Sequence, residues 1–270
     1  MGLRINQNIA AQNSYRNLSV TDGQMSKSLE KLSSGFRINR AADDAAGLSI
    51  SEGLRAQVGG LKVAVRNAQD GISVAQTAEG ALNEVHSILQ RMRDLSVQAS
   101  NGGANDADAK GAAQKEFAQL NEELDRIGET TSFGKSKLLD GNYSGTFQVG
   151  ANAGEEMTID IDEVSSTALG TDALDLTTGA SAAITTIDDA IQTVSDQRAS
   201  LGAYQNRFEH TINNLNVAVE NLSASESRIR DTDMAQEMVS FTRSQILTQA
   251  GTSMLSQANQ ASQNVLSLLR

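Results

Sequence analysis

The sequence predicts a mainly α-helical protein: a long antiparallel coiled-coil hairpin of helices carrying one small β-hairpin, with the two terminal helices pairing into an inner coiled coil. Three observations point there. The 270 residues contain no proline, although ordinary usage of about 5% would give roughly 13, and interior proline is what breaks a helical hydrogen-bond ladder. Apolar residues recur at steps of three and four over most of the chain, the spacing that holds one stripe on a helix face. The order of segments is short helix, break, long helix, hairpin, long helix, break, short helix. That order is nearly a palindrome and places both termini at one end.

The first segment opens with Leu3, Ile5 and Ile9 and continues through Tyr15, Leu18, Met25, Leu29 and Leu32. Two serines and a glycine in the stretch Ser33–Asn39 interrupt it and read as a connector. Asp43 and Asp44 then put negative charge where the next helix begins, the end at which the helix dipole favours it. From about 44 to 100 the rhythm runs through Leu54, Val58, Leu61, Val65, Ala68 and Ile72, then Ala75, Leu82, Val85, Leu89 and Met92, missing only at Glu79. Such a helix is ~85 Å long at 1.5 Å per residue. Gly59, Gly60, Gly71 and Gly80 lie inside it. Each costs about 1 kcal/mol relative to alanine, so close backbone approach is the expected return.

Turn chemistry at Asn101–Asp106 ends the long helix. A helix over about 106–128 follows, with Ala113, Phe117, Leu120, Leu124 and Ile127 on one face. The period then changes to two. Phe147 and Val149 alternate with polar residues, as do Met157, Ile159 and Ile161, around the glycine-bounded run Gly150–Gly154, which predicts a β-hairpin over about 145–162. Ser165–Gly179 reads as small, polar and irregular. The third long helix, about 181–230, carries Ile187, Ile191, Val194, Leu201, Phe208, Ile212 and Leu215, with Arg198, Gln205 and Glu226 on the seam. Asp231–Asp233 interrupts it, and Asp233 with Gln236 suits a capping box for the last helix.

That last helix ends apolar. Leu247, Ala250, Met254, Ala258, Ala261, Val265 and Leu268 keep the three-four spacing, and Ile246, Leu255, Leu266 and Leu269 widen the stripe. A helix of this kind takes its stability from packing rather than from propensity. Pairing the two termini closes the chain on itself, yet two such helices bury little, so neighbouring copies of the chain are the expected further partner. The alternative is an ordinary bundle whose ends happen to be helices.

Composition narrows the function. Aromatic content of 3% suits thin helical layers. A net charge of −11 argues against nucleic acid or an acidic membrane surface as partner, and no apolar run approaches the ~18 residues of a membrane span. Cysteine is absent, which removes disulfide and thiolate chemistry. Met1–Ile9 lacks the basic start and apolar core of a secretory signal, which favours the cytoplasm unless export takes another route. The only histidines are His86 and His210, with neither an H-E-x-x-H pair nor a G-x-S-x-G elbow. His86 sits one position from Val85 on the seam and reads as a packed surface histidine. No catalytic, metal-binding or cofactor-binding residue is expected, and no enzyme.

Several motifs in order carry a specific resemblance. Leu32-Ser33-Ser34-Gly35-Phe36-Arg37-Ile38-Asn39 and Asp43-Asp44-Ala45-Ala46-Gly47 resemble the amino-terminal signature of bacterial flagellin. The runs Arg66–Ser73, Glu79–Glu84 and Phe147–Asn152 continue it, and Gln257–Gln260 with Gln263–Arg270 resembles the family's carboxyl terminus. The match covers essentially the whole chain. It implies a structural subunit that polymerises into the flagellar filament, in a short form lacking large outer domains. The inner layer of coiled terminal helices would be 1–42 with 234–270, and the outer layer 43–233. Assembly would bury Leu3, Ile5, Ile9, Leu18, Leu247, Ala250, Met254, Ala258, Val265, Leu268 and Leu269. The resemblance further implies an extracellular place in the filament, reached unfolded through the flagellar secretion system without a cleaved signal. Its partners would be other copies, an export chaperone and assembly factors, and the hook-associated junction and cap proteins. The family's segment sensed by the host's Toll-like receptor five resembles Gln90–Gln98, which implies a receptor-binding set of Gln90, Arg91, Leu95 and Gln98 with Glu116 on the following helix. Competing expectations are a hook–filament junction protein and the helical signalling domain of a chemotaxis receptor.

Overall fold

The computed structural model describes residues 7–103 and 106–268, with side chains followed as far as residue 260. Its elements are α1 (Ile9–Ser34), α2 (Ala45–Ser100), α3 (Ala107–Thr130), β1 (Ser132–Phe133), β2 (Ser136–Lys137), β3 (Tyr143–Gln148), β4 (Glu156–Ile161), α4 (Leu176–Arg230) and α5 (Met234–Leu268). The mainly helical class, the antiparallel pairing of long helices and the β3–β4 hairpin are as the sequence predicts. Packing separates two compact units, one of residues 57–220 and one of residues up to Ala56 with those from Asn221 onward.

In the unit of residues 57–220, α2 and α4 run antiparallel. Arg93 Nε donates to Asp188 Oδ1 at 2.6 Å and Gln205 Nε2 to Glu79 Oε2 at 2.9 Å, so numbers fall on α4 as they rise on α2. Between them lie fully buried side chains, among them Leu82, Val85, Leu89, Ile187, Val194 and Phe208. Gly71 makes this approach possible. A Cβ there would lie 2.7 Å from Phe208 Cζ, closer than a Cβ atom comes to a non-bonded carbon in folded chains. Gly60 is crowded in the same way, 3.1 Å from Ala151 Cβ, whereas Gly59 and Gly80 face open space, so the expected close approach holds at two of the four.

Helix α3 seals the pair with Phe117 and Leu124, both buried. In β4 burial alternates strictly, with Met157, Ile159 and Ile161 inside, which is why its sequence has a period of two. On the paired strand, Phe147 meets the Phe208 ring edge-on, 5.7 Å between centroids. The second hairpin, β1–β2, turns at Gly134 with φ 63°. Its six residues Ser132–Lys137 are all exposed, so no alternation announced it.

The stretch expected to be irregular is tied down. Gln114, Asn121 and Asp125 share one face of α3 and bind it in sequence. Asp125 accepts from the Ser166 amide at 2.6 Å and its hydroxyl at 2.8 Å. Asn121 donates to the Thr171 carbonyl and accepts from its hydroxyl, and Gln114 accepts from the Leu176 amide at 2.7 Å. Helix α4 therefore begins at Leu176, earlier than the pattern indicates, with non-helical φ and ψ at Gly179.

In the other unit α1 and α5 pair antiparallel. Asn8 Nδ2 donates to the Ala258 carbonyl at 2.9 Å near one end, and Lys31 meets Glu237 at 3.9 Å near the other. Helix α1 stops at Gly35, whose φ of 75° is the left-handed conformation that ends helices. Beyond it, Phe36 bridges Asp231, and the Arg37 amide donates to the Arg230 carbonyl at 2.6 Å. The Arg230 guanidinium lies 4.7 Å from the Phe36 ring centre and 2.6 Å from Glu52 Oε1. Asp44 caps α2 by accepting from the Gly47 amide, and Asp233 caps α5 from Ala235 and Gln236.

Candidate interaction surfaces

The face that α5 turns to α1 takes in only Leu255 and Ala258 of the apolar stripe among the described side chains. Its less exposed positions are Glu237, Ser240, Phe241, Ser244, Thr248 and Gly251, continuing to Leu255 and Ala258. Ser244 is buried, and a Cβ on Gly251 would stand 3.2 Å from Leu18 Cδ1. Facing it on α1 are Asn8, Ala11, Ser14, Leu18, Thr21 and Met25, with buried Ser28. Small side chains let the two helices approach closely but supply little apolar area, and burial of apolar area is what drives association.

The large apolar residues point elsewhere. Leu247 is 50% exposed and Met254 60%, and Ala250 between them is also exposed. Met238, Val239 and Ile246 extend the patch along α5, and with Thr242, Arg243 and Leu247 they line a shallow groove. On α1, Ile9, Tyr15, Val20 and Leu29 are all more than half exposed. Of the sequence-derived assembly residues, Ile9, Leu247, Ala250 and Met254 thus lie on open faces, while Leu18 and Ala258 lie on the α1–α5 contact. Leu3, Ile5 and Leu269 fall outside the described residues, as do the side chains of Val265 and Leu268. Met238 and Val239 were missed because they precede the regular stripe. Their signal was an adjacent apolar pair on an otherwise polar turn.

The second candidate surface lies where α2 meets α3. Arg91 Nη2 is 2.7 Å from Glu116 Oε1 and its Nε donates to the same oxygen at 2.8 Å, with both side chains about half exposed. Gln90 and Gln98 are exposed beside them. Leu95 shares their spacing but is 2% exposed, so it supports this face from beneath. Among the described residues no group of three or more potential ligands could hold a metal ion, and no helix is long and apolar enough to cross a membrane. His86 is half-buried, with Nε2 2.9 Å from Gln90 Nε2.

Comparison with known proteins agrees with the motif reading. Residues 5–144 match the model of the bacterial flagellin N-terminal helical region, and residues 184–269 that of the C-terminal helical region. The flagellin of Halalkalibacterium halodurans is 56% identical over 98% of this chain and 99% of its own. That of Bacillus subtilis is 49% identical over 99% and 100%. Among solved structures, a crystal structure of Bacillus cereus flagellin aligns with a TM-score of 0.50 at 34% identity, covering 56% of this chain and 88% of that one.

Proposed function

The chain belongs to the bacterial flagellin family, structural proteins rather than enzymes, and on that premise we propose how this flagellar filament subunit assembles and what recognises it. The observation that carries the assembly reading is the outward apolar patch of α5, from Met238 to Met254, beside exposed Ile9, Tyr15, Val20 and Leu29 on α1. A helix pair in which, among the described residues, only Ser28 and Ser244 are fully buried does not offset the cost of ordering, about 1–2 kcal/mol per residue for the backbone alone. The terminal helices therefore complete their folding on assembly, when neighbouring copies cover the patch. Residues 1–42 and 234–270 form the inner layer and 43–233 the outer layer. The connectors around Phe36 and Asp231 mark where one passes into the other.

Deleting Ser256–Arg270 tests this. The truncated chain should keep its central helices by circular dichroism yet form no sedimenting filaments. Normal filaments in the electron microscope from that truncation would sink the mechanism.

The subunit works outside the cell after export through the flagellar secretion system, and the apolar patch of α5 is the surface an export chaperone would shield beforehand. Junction and cap proteins of the hook contact the polymer's ends. The paired Arg91 and Glu116, with Gln90 and Gln98 beside them and Leu95 beneath, form the face read by Toll-like receptor five. Arg91→Ala should weaken receptor signalling in a reporter-cell assay, and unchanged signalling would count against this face.

A further inference from the structure

The chain's seven methionines divide by place. Met1 falls outside the described residues. Met92 on α2 is fully buried, and Met157 is buried on the inner face of β4. Met25 is half-buried on the face of α1 that meets α5. The three on α5 stand open, Met234 at 48%, Met238 at 50% and Met254 at 60% exposure. Two of these belong to the outward apolar patch. Met238 lines the shallow groove with Val239, Ile246 and Leu247. Met254 follows Leu247 by seven residues, a step that returns a helix to nearly the same face. Met234 precedes the groove and does not line it.

A thioether is apolar and packs well at an adaptable surface, but it is also open to oxidation. The chain holds no cysteine and no tryptophan, which leaves the thioethers as its most readily oxidised side chains. With hydrogen peroxide, a sulfur lone pair attacks one peroxide oxygen. The O–O bond breaks, an S–O bond forms, and the second oxygen leaves as water with both hydrogens. Sulfur is oxidised by two electrons and the peroxide reduced by two. The product, methionine sulfoxide, is a polar acceptor, and a reductase returns it to the thioether. On the open face of α5 the new oxygen is satisfied by water, so the single subunit is indifferent to it. A neighbouring copy that covers the patch strips that water away, and burial of a polar group without a partner is unfavourable. Two sulfoxides on the patch therefore oppose the contact that assembly needs, and assembly in turn puts both sulfurs out of reach of the oxidant.

We propose that Met238 and Met254 are a modification site on the assembly surface: peroxide oxidation of an unassembled subunit bars it from the polymer, and reduction of the sulfoxides readmits it. The proposal rests on the filament reading above. The test treats the purified full chain with hydrogen peroxide, before or after assembly. Sedimentation gives the critical concentration, and peptide mass spectrometry gives the state of each methionine. In the free subunit Met234, Met238 and Met254 should become sulfoxides while Met92 and Met157 stay thioethers. The critical concentration should rise about tenfold or more, the effect of a polar group buried without a partner. Methionine sulfoxide reductase should bring it back to the untreated value. The double variant Met238→Leu with Met254→Leu, close in volume, should hold its critical concentration after treatment although Met234 is still oxidised. Filaments already formed should keep both thioethers. Oxidised wild type that assembles at the untreated concentration would overturn the site and leave the filament reading intact. So would a double variant as sensitive as the wild type, or assembly that stays lost after complete reduction. Should the double variant misfold, the wild-type arms with peroxide and reductase decide alone. Untreated wild type that never assembles would bring down both readings.

Discussion

Substituting alanine at two glycines of α2 should move stability in opposite directions. At Gly80 nothing stands within 4 Å of the added Cβ, so Gly80→Ala gains helix propensity and should stabilise the monomer by up to about 1 kcal/mol. At Gly71 the same gain is opposed by Phe208, whose ring atoms would lie 2.7, 3.0 and 3.1 Å from the new methyl. Phe208 is fully buried and held edge-on by Phe147 at 5.7 Å, so the ring has no room to retreat. Overpacking of this kind costs about 1–3 kcal/mol. Gly71→Ala should therefore be neutral to destabilising by about 2 kcal/mol, and the two variants should differ by roughly 1–3 kcal/mol. Urea unfolding of the monomer followed by far-UV circular dichroism measures both. If Gly71→Ala stabilises as much as Gly80→Ala, the tight α2–α4 contact described above is wrong.

Three further outcomes follow from the same packing. Asp125→Ala removes both acceptors of buried Ser166 and should cost about 1–3 kcal/mol, with faster hydrogen exchange over residues 165–175; unchanged exchange would show that Asp125 does not hold that stretch. Asp106 caps α3 by accepting from the Ala109 amide at 2.9 Å, so Asp106→Ala should lower stability by about 1 kcal/mol, while Asp106→Asn should restore most of it in the same urea titration. Asp175 is held below the usual carboxylate range, chiefly by the Thr177 hydroxyl and then by its amide. Its folded-state value is depressed, so its contribution is complete above the unfolded value near 3.9 and is lost as pH falls through the folded one. A carboxyl-carbon NMR titration should place its midpoint below that of a model aspartate; a midpoint at or above it would show that the Thr177 hydroxyl and amide do not hold the ionised carboxylate.

Much of this architecture is legible in the sequence because coiled helices repeat the same local rule. The seam of α2 and α4, the alternation in β4 and the aspartates Asp44 and Asp233 at helix starts each follow from a spacing or a residue type with one structural meaning. What escaped depends on tertiary contact. The β1–β2 hairpin has no buried face to print a pattern. Ser165–Asp175 looks irregular because its order comes from Gln114, Asn121 and Asp125, fifty residues away on average along the chain and unremarkable in composition. The apolar stripe of α5 was legible as unpartnered, but which face would meet α1 was not. On the face toward α1, Ser244, Thr248 and Gly251 interrupt Phe241 and Leu255, and such small residues carry no periodic hydrophobic signal. The same limit applies to Leu95, which spacing grouped with Arg91 and Gln98 but packing took inside.

The most direct test of the central claim is seeded polymerisation of the purified chain, with hydrogen exchange followed residue by residue in the monomer and in the pelleted polymer. The account predicts filaments in which amides of α1 and α5 become strongly protected while those of α2 and α4 around Leu82 and Val194 change little. Terminal helices already as protected in the monomer as in the polymer would contradict it, because the pair would then be satisfied without neighbouring copies.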